Sequence, residues 1–442
     1  METTEKVAED QAGISAILRS RMNPLETSVD LDSMIEHIGD ARIVMLGEAS
    51  HGTHEYYAWR SRISQRLIEE KGFNFIAVEG DWPDCYRLNR YVKNYRGAGV
   101  SAFEILHAFN RWPTWMWANW ETVAFAEWLS DHNRSLPVNQ KAGFYGMDVY
   151  SLRESLEAII GYLKRVDPDA LAVAEKAFRC FAPYEREEGT LYAYASLMVP
   201  EQCANEVVSL LAEMQRKAPQ YNSDHENVFS AQQNAFVSVN AERYYRAMLT
   251  GGATTWNIRD NHMMRTLQRL LNFHGPESKA IVWAHNTHIG DARATDMRFE
   301  GMHNLGELAR KHYGNENVFL VGFGSYEGTV MGARRWGKKP QHLTLPPASK
   351  GTWEYLLNET GVQSGYLYTR DLRGAGLIDQ EIGHRAVGVV YNPSADKFRN
   401  YVASNIADRY DAFVFFRQTK ALLPLHILAD SRQMPETYPF AV

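Results

Sequence analysis

The run Ile43–Leu46 (IVML) breaks at once into Gly47 and Glu48, and His51 follows three residues later on a turn of small residues. Four consecutive apolar residues without alternation fit a strand buried on both faces, as in a parallel sheet. Ala49, Ser50 and Gly52 permit a tight turn, and Thr53 is placed to cap the next helix. A carboxylate and an imidazole then stand at the carboxyl end of a strand, beside a helix N-terminus. Open α/β sheets bind their ligands there.

The pattern recurs. Phe73–Val78 is apolar apart from Asn74 and ends in Glu79, Gly80 and Asp81. Lys141–Met147 leads into Asp148, and Ala280–Ala284 leads into His285, Asn286, Thr287 and His288. If these strands are parallel, Glu48, Glu79, Asp148 and His285 converge on one sheet edge. One such residue is as readily a helix cap or a loop hydrogen bond; four together point to a catalytic crevice.

Residues 42–148 alternate strand and helix, which implies a parallel sheet. Ser151 and Glu154 have the spacing of a capping box, opening a helix with Leu152, Leu156, Ile159, Ile160 and Leu163 on one face. From there to about Gly275 the pattern is almost wholly helical. It has amphipathic stretches at Glu201–Gln215 and Asn227–Leu249, a polar turn around Ala218–Asp224, and a last helix starting at Asn257 and Asp260. Strands resume at Lys279–His285, Asn317–Gly322, Arg385–Tyr391 and Ala412–Phe416, with an exposed loop over 337–347 and a helix over 351–360. Residues 1–40 read as helical and peripheral. The expected fold is α/β: a central, mainly parallel sheet flanked by helices, with a helical insertion over 151–275 and a cleft at the carboxyl ends of the strands. Residues 1–442 are expected to form one catalytic domain.

Composition sets the broad class. Of 442 residues, 45% are hydrophobic and 23% charged, as in ordinary globular proteins. A net charge of −6 and no long basic run argue against a nucleic-acid surface. No stretch approaches the ~20 apolar residues of a membrane helix, and METTEKVAED is too acidic for a signal peptide. Three scattered cysteines (Cys85, Cys180, Cys203) are too few for a disulfide framework or a cysteine zinc site. A cytoplasmic location is expected.

His51 is the leading candidate for a general base, because a nearby carboxylate tunes a histidine to accept a proton near neutral pH. Glu48 or Glu79 would orient it. Arg60 lies about 10 Å along the following helix, and helical side chains lean back toward the N-terminus. It would therefore pair with Glu48 or Glu79 or bind an oxyanion. His285 and His288 suit zinc by residue type, with Glu79 as a further ligand, but they lack the helical H-E-x-x-H spacing. No cofactor is expected, and a divalent metal stays open as the alternative. Trp112 and Trp115, in the tract RWPTWMWANW, are either pocket walls or core. Asp148 and Arg259 are further substrate-binding candidates, and Arg259 alternatively pairs with Asp260. No G-x-S-x-G elbow, phosphate loop or dinucleotide fingerprint is present. Attack by an activated water is the simplest chemistry.

Taken together, GEASHGTHE with Arg60, AVEGDWPD, GMDVYSLRESL, NIRDNHM and WAHNTHIGD resemble the erythromycin esterase family, in order, from about Arg42 to the final PETYPF. The resemblance implies a hydrolase of compact α/β fold with a helical insertion; members that confer macrolide resistance open the lactone with water. It places the catalytic histidine at His51, its supporting residues at Glu48, Arg60 and Glu79, and a later histidine pair at His285 and His288. The implied ligand is a small ester or lactone, with no nucleic-acid or membrane partner. The competing readings are a metal-dependent hydrolase of another amide, ester or phosphoester, and a non-catalytic small-molecule binder.

Overall fold

A computed structural model describes residues 13–184, 190–198, 203–221, 224–249, 251–373 and 381–426. The acidic N-terminus, the start of the stretch expected to be helical from Glu201 and the PETYPF end lie outside the described residues. The strands are β1 (Asn23–Pro24), β2 (Ile43–Leu46), β3 (Phe75–Val78), β4 (Gly143–Gly146), β5 (Ala280–Trp283) and β6 (Val318–Gly332). They continue with β7 (Gln341–Leu345), β8 (Ser364–Tyr368), β9 (Ile382–Arg385), β10 (Tyr401–Ser404) and β11 (Ala412–Thr419). Nine of them form one sheet in the order β1-β8-β11-β6-β2-β5-β3-β4, with β7 added to β6. The stretch from β11 to β4 is entirely parallel, while β1, β8 and β7 pair antiparallel. β9 and β10 form a separate two-stranded ribbon.

β2, β3, β4 and β5 are buried along their whole length. Helices cover both faces, so unbroken apolar runs are what these positions require. One face packs Val44, Leu46, Ile76, Val78 and Trp283 against the helix His54–Lys71 and its neighbours. The other packs Met45, Phe75, Ala77 and Val282 against Met263, Leu267 and Leu270 of the helix Gly252–His274. A third core holds the helical stretch between β4 and β5 together: Leu156 and Ile159 meet Ala177, Leu210 and Ala235 there.

Several local expectations need correction. Ser151 is the N-cap of Leu152–Val166, but its hydroxyl makes no cap hydrogen bond and faces Ser155 Oγ at 3.4 Å, so no capping box forms. The last insertion helix starts at Gly252, ahead of Asn257. Of the strand expected over Arg385–Tyr391 only Arg385 is strand, as the last residue of Ile382–Arg385; beyond it Val387 and Val390 make isolated bridges to Ser50 and Ala333. Gln341–Leu345, expected as loop, pairs with the far end of β6, which runs well past Gly322. Residues 23–24, expected among peripheral helix, add an edge strand to the sheet. Cys180 and Cys203 form a disulfide within the helical stretch. A proximity created by folding across 23 residues leaves no local trace in the sequence. No described helix is long and apolar enough to cross a membrane.

Candidate active site

The strand order accounts for the site. β2, β5, β3 and β4 are successive neighbours, so the residues that end them (Glu48, His285, Glu79 and Asp148) stand side by side along the carboxyl edge. Two glycines let the chain turn there. A Cβ on Gly47 would lie 2.1 Å from Asn286 Oδ1, and one on Gly52 would lie 1.9 Å from the Met331 carbonyl oxygen.

His51 Nδ1 sits 2.9 Å from Glu48 Oε1, and Arg60 Nη2 donates to Glu48 Oε2 at 2.8 Å. Arg60 is completely buried, with its guanidinium over the rings of Tyr57 and Trp283. It does lean back to Glu48 as expected, yet it does not line the cavity. Like Glu48 and His285, it stands behind the lining residues, and its contact there is with Glu48. Thr53 is the N-cap residue of His54–Lys71, but its hydroxyl bonds Ser50 Oγ instead of the helix.

A second cluster is built around Arg259. Its Nε and Nη2 clamp both oxygens of Asp148, at 2.9 and 2.7 Å, and Nη2 also reaches Glu79 Oε1 at 2.6 Å. Its Nη1 lies 2.8 Å from His288 Nε2. Guanidinium has only donors, so Nε2 of His288 accepts and Nδ1–H donates to Asp260, 2.9 Å away. Trp256 stacks on that imidazole at 4.5 Å, and Asp260 also accepts from the Leu305 amide. Glu79 completes its shell with the His285 amide at 2.8 Å. Burial pushes the Glu79 carboxyl up, but the positive charge around it, with the Arg259 guanidinium in direct contact, outweighs it and holds it well below the usual carboxylate range.

The two clusters meet at His51 and His285, whose ring centroids are 4.8 Å apart. Burial pushes His51 down, yet Glu79 and then Glu48 overcome it, so its pKa lies above the ordinary 6.5. His285 goes the other way: burial, reinforced by the charge of His51, drops it well below 6.5. Burial thus favours the neutral imidazole at His285. Its Nδ1 accepts from the Thr287 amide at 3.3 Å, which puts the proton on Nε2. That Nε2 is buried with no hydrogen-bond partner.

A cavity of about 190 Å³ opens over this constellation, lined by His51, Glu79, Asp148 and Arg259. Trp112 and Trp336 stand at its wall, 4.3 Å apart. Trp115 is wholly buried and belongs to the core. Sequence reasoning missed Asp81, Arg111, Tyr150 and Trp336 as lining residues. Asp81 pairs with Arg111 at 3.0 Å, and burial nevertheless raises its carboxyl to about 7. Arg111 and Asp81 flank motifs already singled out, so adjacency was an available signal; Trp336 is brought in by the β6–β7 hairpin and had none. Asn286 was also missed. Its amide bridges Phe323 of β6, at 2.6 and 3.2 Å, and pins the His285 turn to the sheet. Among the described residues, no three His, Cys, Asp or Glu side chains are placed to hold one metal ion.

A model of the erythromycin esterase family matches residues 68–419. The chain belongs to the erythromycin esterase family. The match begins beyond Glu48, His51 and Arg60, whose placement therefore rests on the geometry above. Erythromycin esterase type II of Escherichia coli is 21% identical over 374 residues, covering 79% of this chain and 86% of that one. The putative hydrolase YbfO of Bacillus subtilis (strain 168) is also 21% identical, over 78% of each. Among solved structures, a succinoglycan biosynthesis protein superposes with a TM-score of 0.77 at 21% identity, over 93% of this chain and 98% of that one. An erythromycin esterase, EreC, in the open conformation of a His-to-Asn mutant gives 0.64 at 17% identity, over 89% and 95%. These likenesses make the family fold that of this chain: a large central sheet flanked by many helices.

Proposed function

We propose that this erythromycin esterase family member is a hydrolase that opens an ester or macrolide lactone by attack of water, with His51 as general base. One observation carries the reading. His51 is fixed through Nδ1 to Glu48 on the wall of a cavity, beside a buried His285 Nε2–H that has no partner. A buried donor without an acceptor is costly, and an oxyanion is the acceptor that would satisfy it. The family membership and the names of the relatives support a hydrolase.

In this mechanism His51 Nε2 takes a proton from water as the water oxygen bonds to the carbonyl carbon. Glu48, and behind it Arg60, hold the ring and balance its new charge. Neutral His285 donates through Nε2–H to the oxyanion. The tetrahedral intermediate collapses by breaking the ester C–O bond, and His51 returns the proton to the leaving alkoxide. Arg259 keeps Asp148, Glu79 and His288 in register around the cavity. No step requires a metal, and the proposal includes none.

The test is mass spectrometry of erythromycin and other macrolides incubated with wild-type protein and His51→Ala, with and without chelator. Gain of one water by wild type alone, unaffected by chelator, is the expected result. Equal turnover by His51→Ala rejects the base assignment, and loss of turnover on chelation rejects the metal-free mechanism.

A further inference from the structure

A second cavity, about 180 Å³, lies beside the first, between the helices Leu152–Val166 and Leu171–Phe181. Leu156, Phe178, Phe181, Tyr192 and Tyr245 line it. Its tyrosine hydroxyls are occupied within the protein: Tyr192 donates to Glu242 at 2.8 Å, and Tyr245 donates to the Tyr150 carbonyl. Asn110, Arg153 and Glu154 also line it, but aromatic and aliphatic surface makes up the larger part of the wall.

Arg111 and Tyr150 line both cavities, with the guanidinium 5.4 Å over the tyrosine ring. The same ring lies 5.0 Å from the Arg259 guanidinium that organises the polar cluster. The two chambers are therefore neighbours across a single sill. Either one alone is smaller than the roughly 300–1,000 Å³ of a site for a drug-sized ligand; together they fall within it. A ligand with its carbonyl at His51 and more than a few carbons attached must extend somewhere, and this chamber adjoins the polar one.

The geometry points to the second cavity as the distal half of one substrate site, taking an apolar, ring-bearing portion of the ester. This rests on the hydrolytic reading of the first cavity. The division of labour is chemical: the polar chamber holds the reacting group, and the aromatic chamber supplies binding through apolar contact with a part of the substrate that does not react. Residues between β4 and β5 thereby select the substrate without touching the reaction.

Ala182 lines the second cavity from its exposed rim and is remote in role from the polar cluster. Ala182→Trp fills the chamber without disturbing a buried position. Two esters with the same leaving group are compared, para-nitrophenyl acetate and para-nitrophenyl cyclohexylbutyrate. Binding of the unreactive cyclohexylbutyric para-nitroanilide is followed by calorimetry. The expected result is a fall of tenfold or more in the ratio of kcat/KM for the cyclohexyl ester to that for the acetate, and anilide binding at least tenfold weaker. Absence of anilide binding to wild type, or equal affinity in the variant, overturns the inference. If neither ester is turned over while anilide binding still weakens in the variant, the binding chamber stands and the hydrolytic reading fails.

Discussion

At the junction of the helix His225–Ala247 with β4, four donors converge on one buried carboxylate. Glu226 accepts from Lys93 at 2.9 Å, Asn89 at 2.8 Å, Tyr95 at 2.6 Å and Tyr145. At the carboxyl edge of the same sheet, Glu48, Glu79, Asp148, Arg60, Arg259 and three histidines pack as closely. The residue types are alike and the outcomes differ. Around Glu226 every polar atom has a partner, burial is offset by Lys93, and the carboxyl is held at about 2. In the other cluster His285 Nε2 and two nitrogens of Arg60 have none, and a cavity opens onto it. A saturated network fixes a helix to a sheet. One that keeps unspent donors and an opening has the means to bind something.

That contrast can be broken experimentally, and the largest effect belongs to the cavity. His51→Ala is expected to lower kcat/KM by roughly 10²–10⁴-fold, the range for a lost general base, with circular dichroism and Tm near wild type. Comparable loss from Glu226→Gln, measured per folded molecule, would erase the distinction between the clusters. Glu226→Gln is instead expected to act on stability. The folded pKa lies below the ordinary 4.5, so the stabilisation is present above about 4.5 and lost as pH falls toward about 2. A shift of that size corresponds to about 3 kcal/mol, and removing one partner of a buried pair costs about 3–5 kcal/mol. Urea melts at pH 7 and at pH 3 measure it; a cost equal at both pH values rejects the linkage.

Arg259→Lys sharpens the comparison further. A single ammonium cannot hold Asp148 through two parallel bonds while reaching Glu79 and His288. Misplacement of the site should lower kcat/KM by about 10²-fold, and an unchanged value means the clamp does not position the reacting groups. The smallest effect is a shift in pH profile. A base acts when unprotonated, so the acid limb of kcat/KM should fall above 6.5, where Glu79 and Glu48 place His51. Glu48→Gln removes one of those charges and should move the limb down by roughly one unit. A limb that stays put or rises shows that Glu48 does not tune His51.

The local grammar of the chain was readable in advance for the β2, β3, β4, β5 and β11 strands. Their unbroken apolar runs have few alternatives once both faces are buried. It was misleading at Arg385–Tyr391, where apolar residues cross between the sheet edge and β6 without a partner strand. It was misleading again at Gln341–Leu345, whose polar side chains face solvent from a strand on the open end of β6. Pairing partners, not propensity, decide such segments. For the site, the strand-end residues carried the signal, while Asp81, Arg111, Tyr150 and Trp336 entered the cavity wall from the loops around them.

The sequence by itself determined which strands end in acids and histidines, because a buried parallel strand imposes an apolar pattern that a charged residue visibly terminates. Only the tertiary structure decided which of these side chains face a ligand. Strand order sets β5 between β2 and β3, bringing His285 within 4.8 Å of His51. Packing turns Arg60 inward to Glu48 and Arg259 outward to the cavity. Both are arginines beside carboxylates in the sequence reading. Their difference arises from helices that approach the sheet edge from opposite faces, a relation that no local pattern encodes.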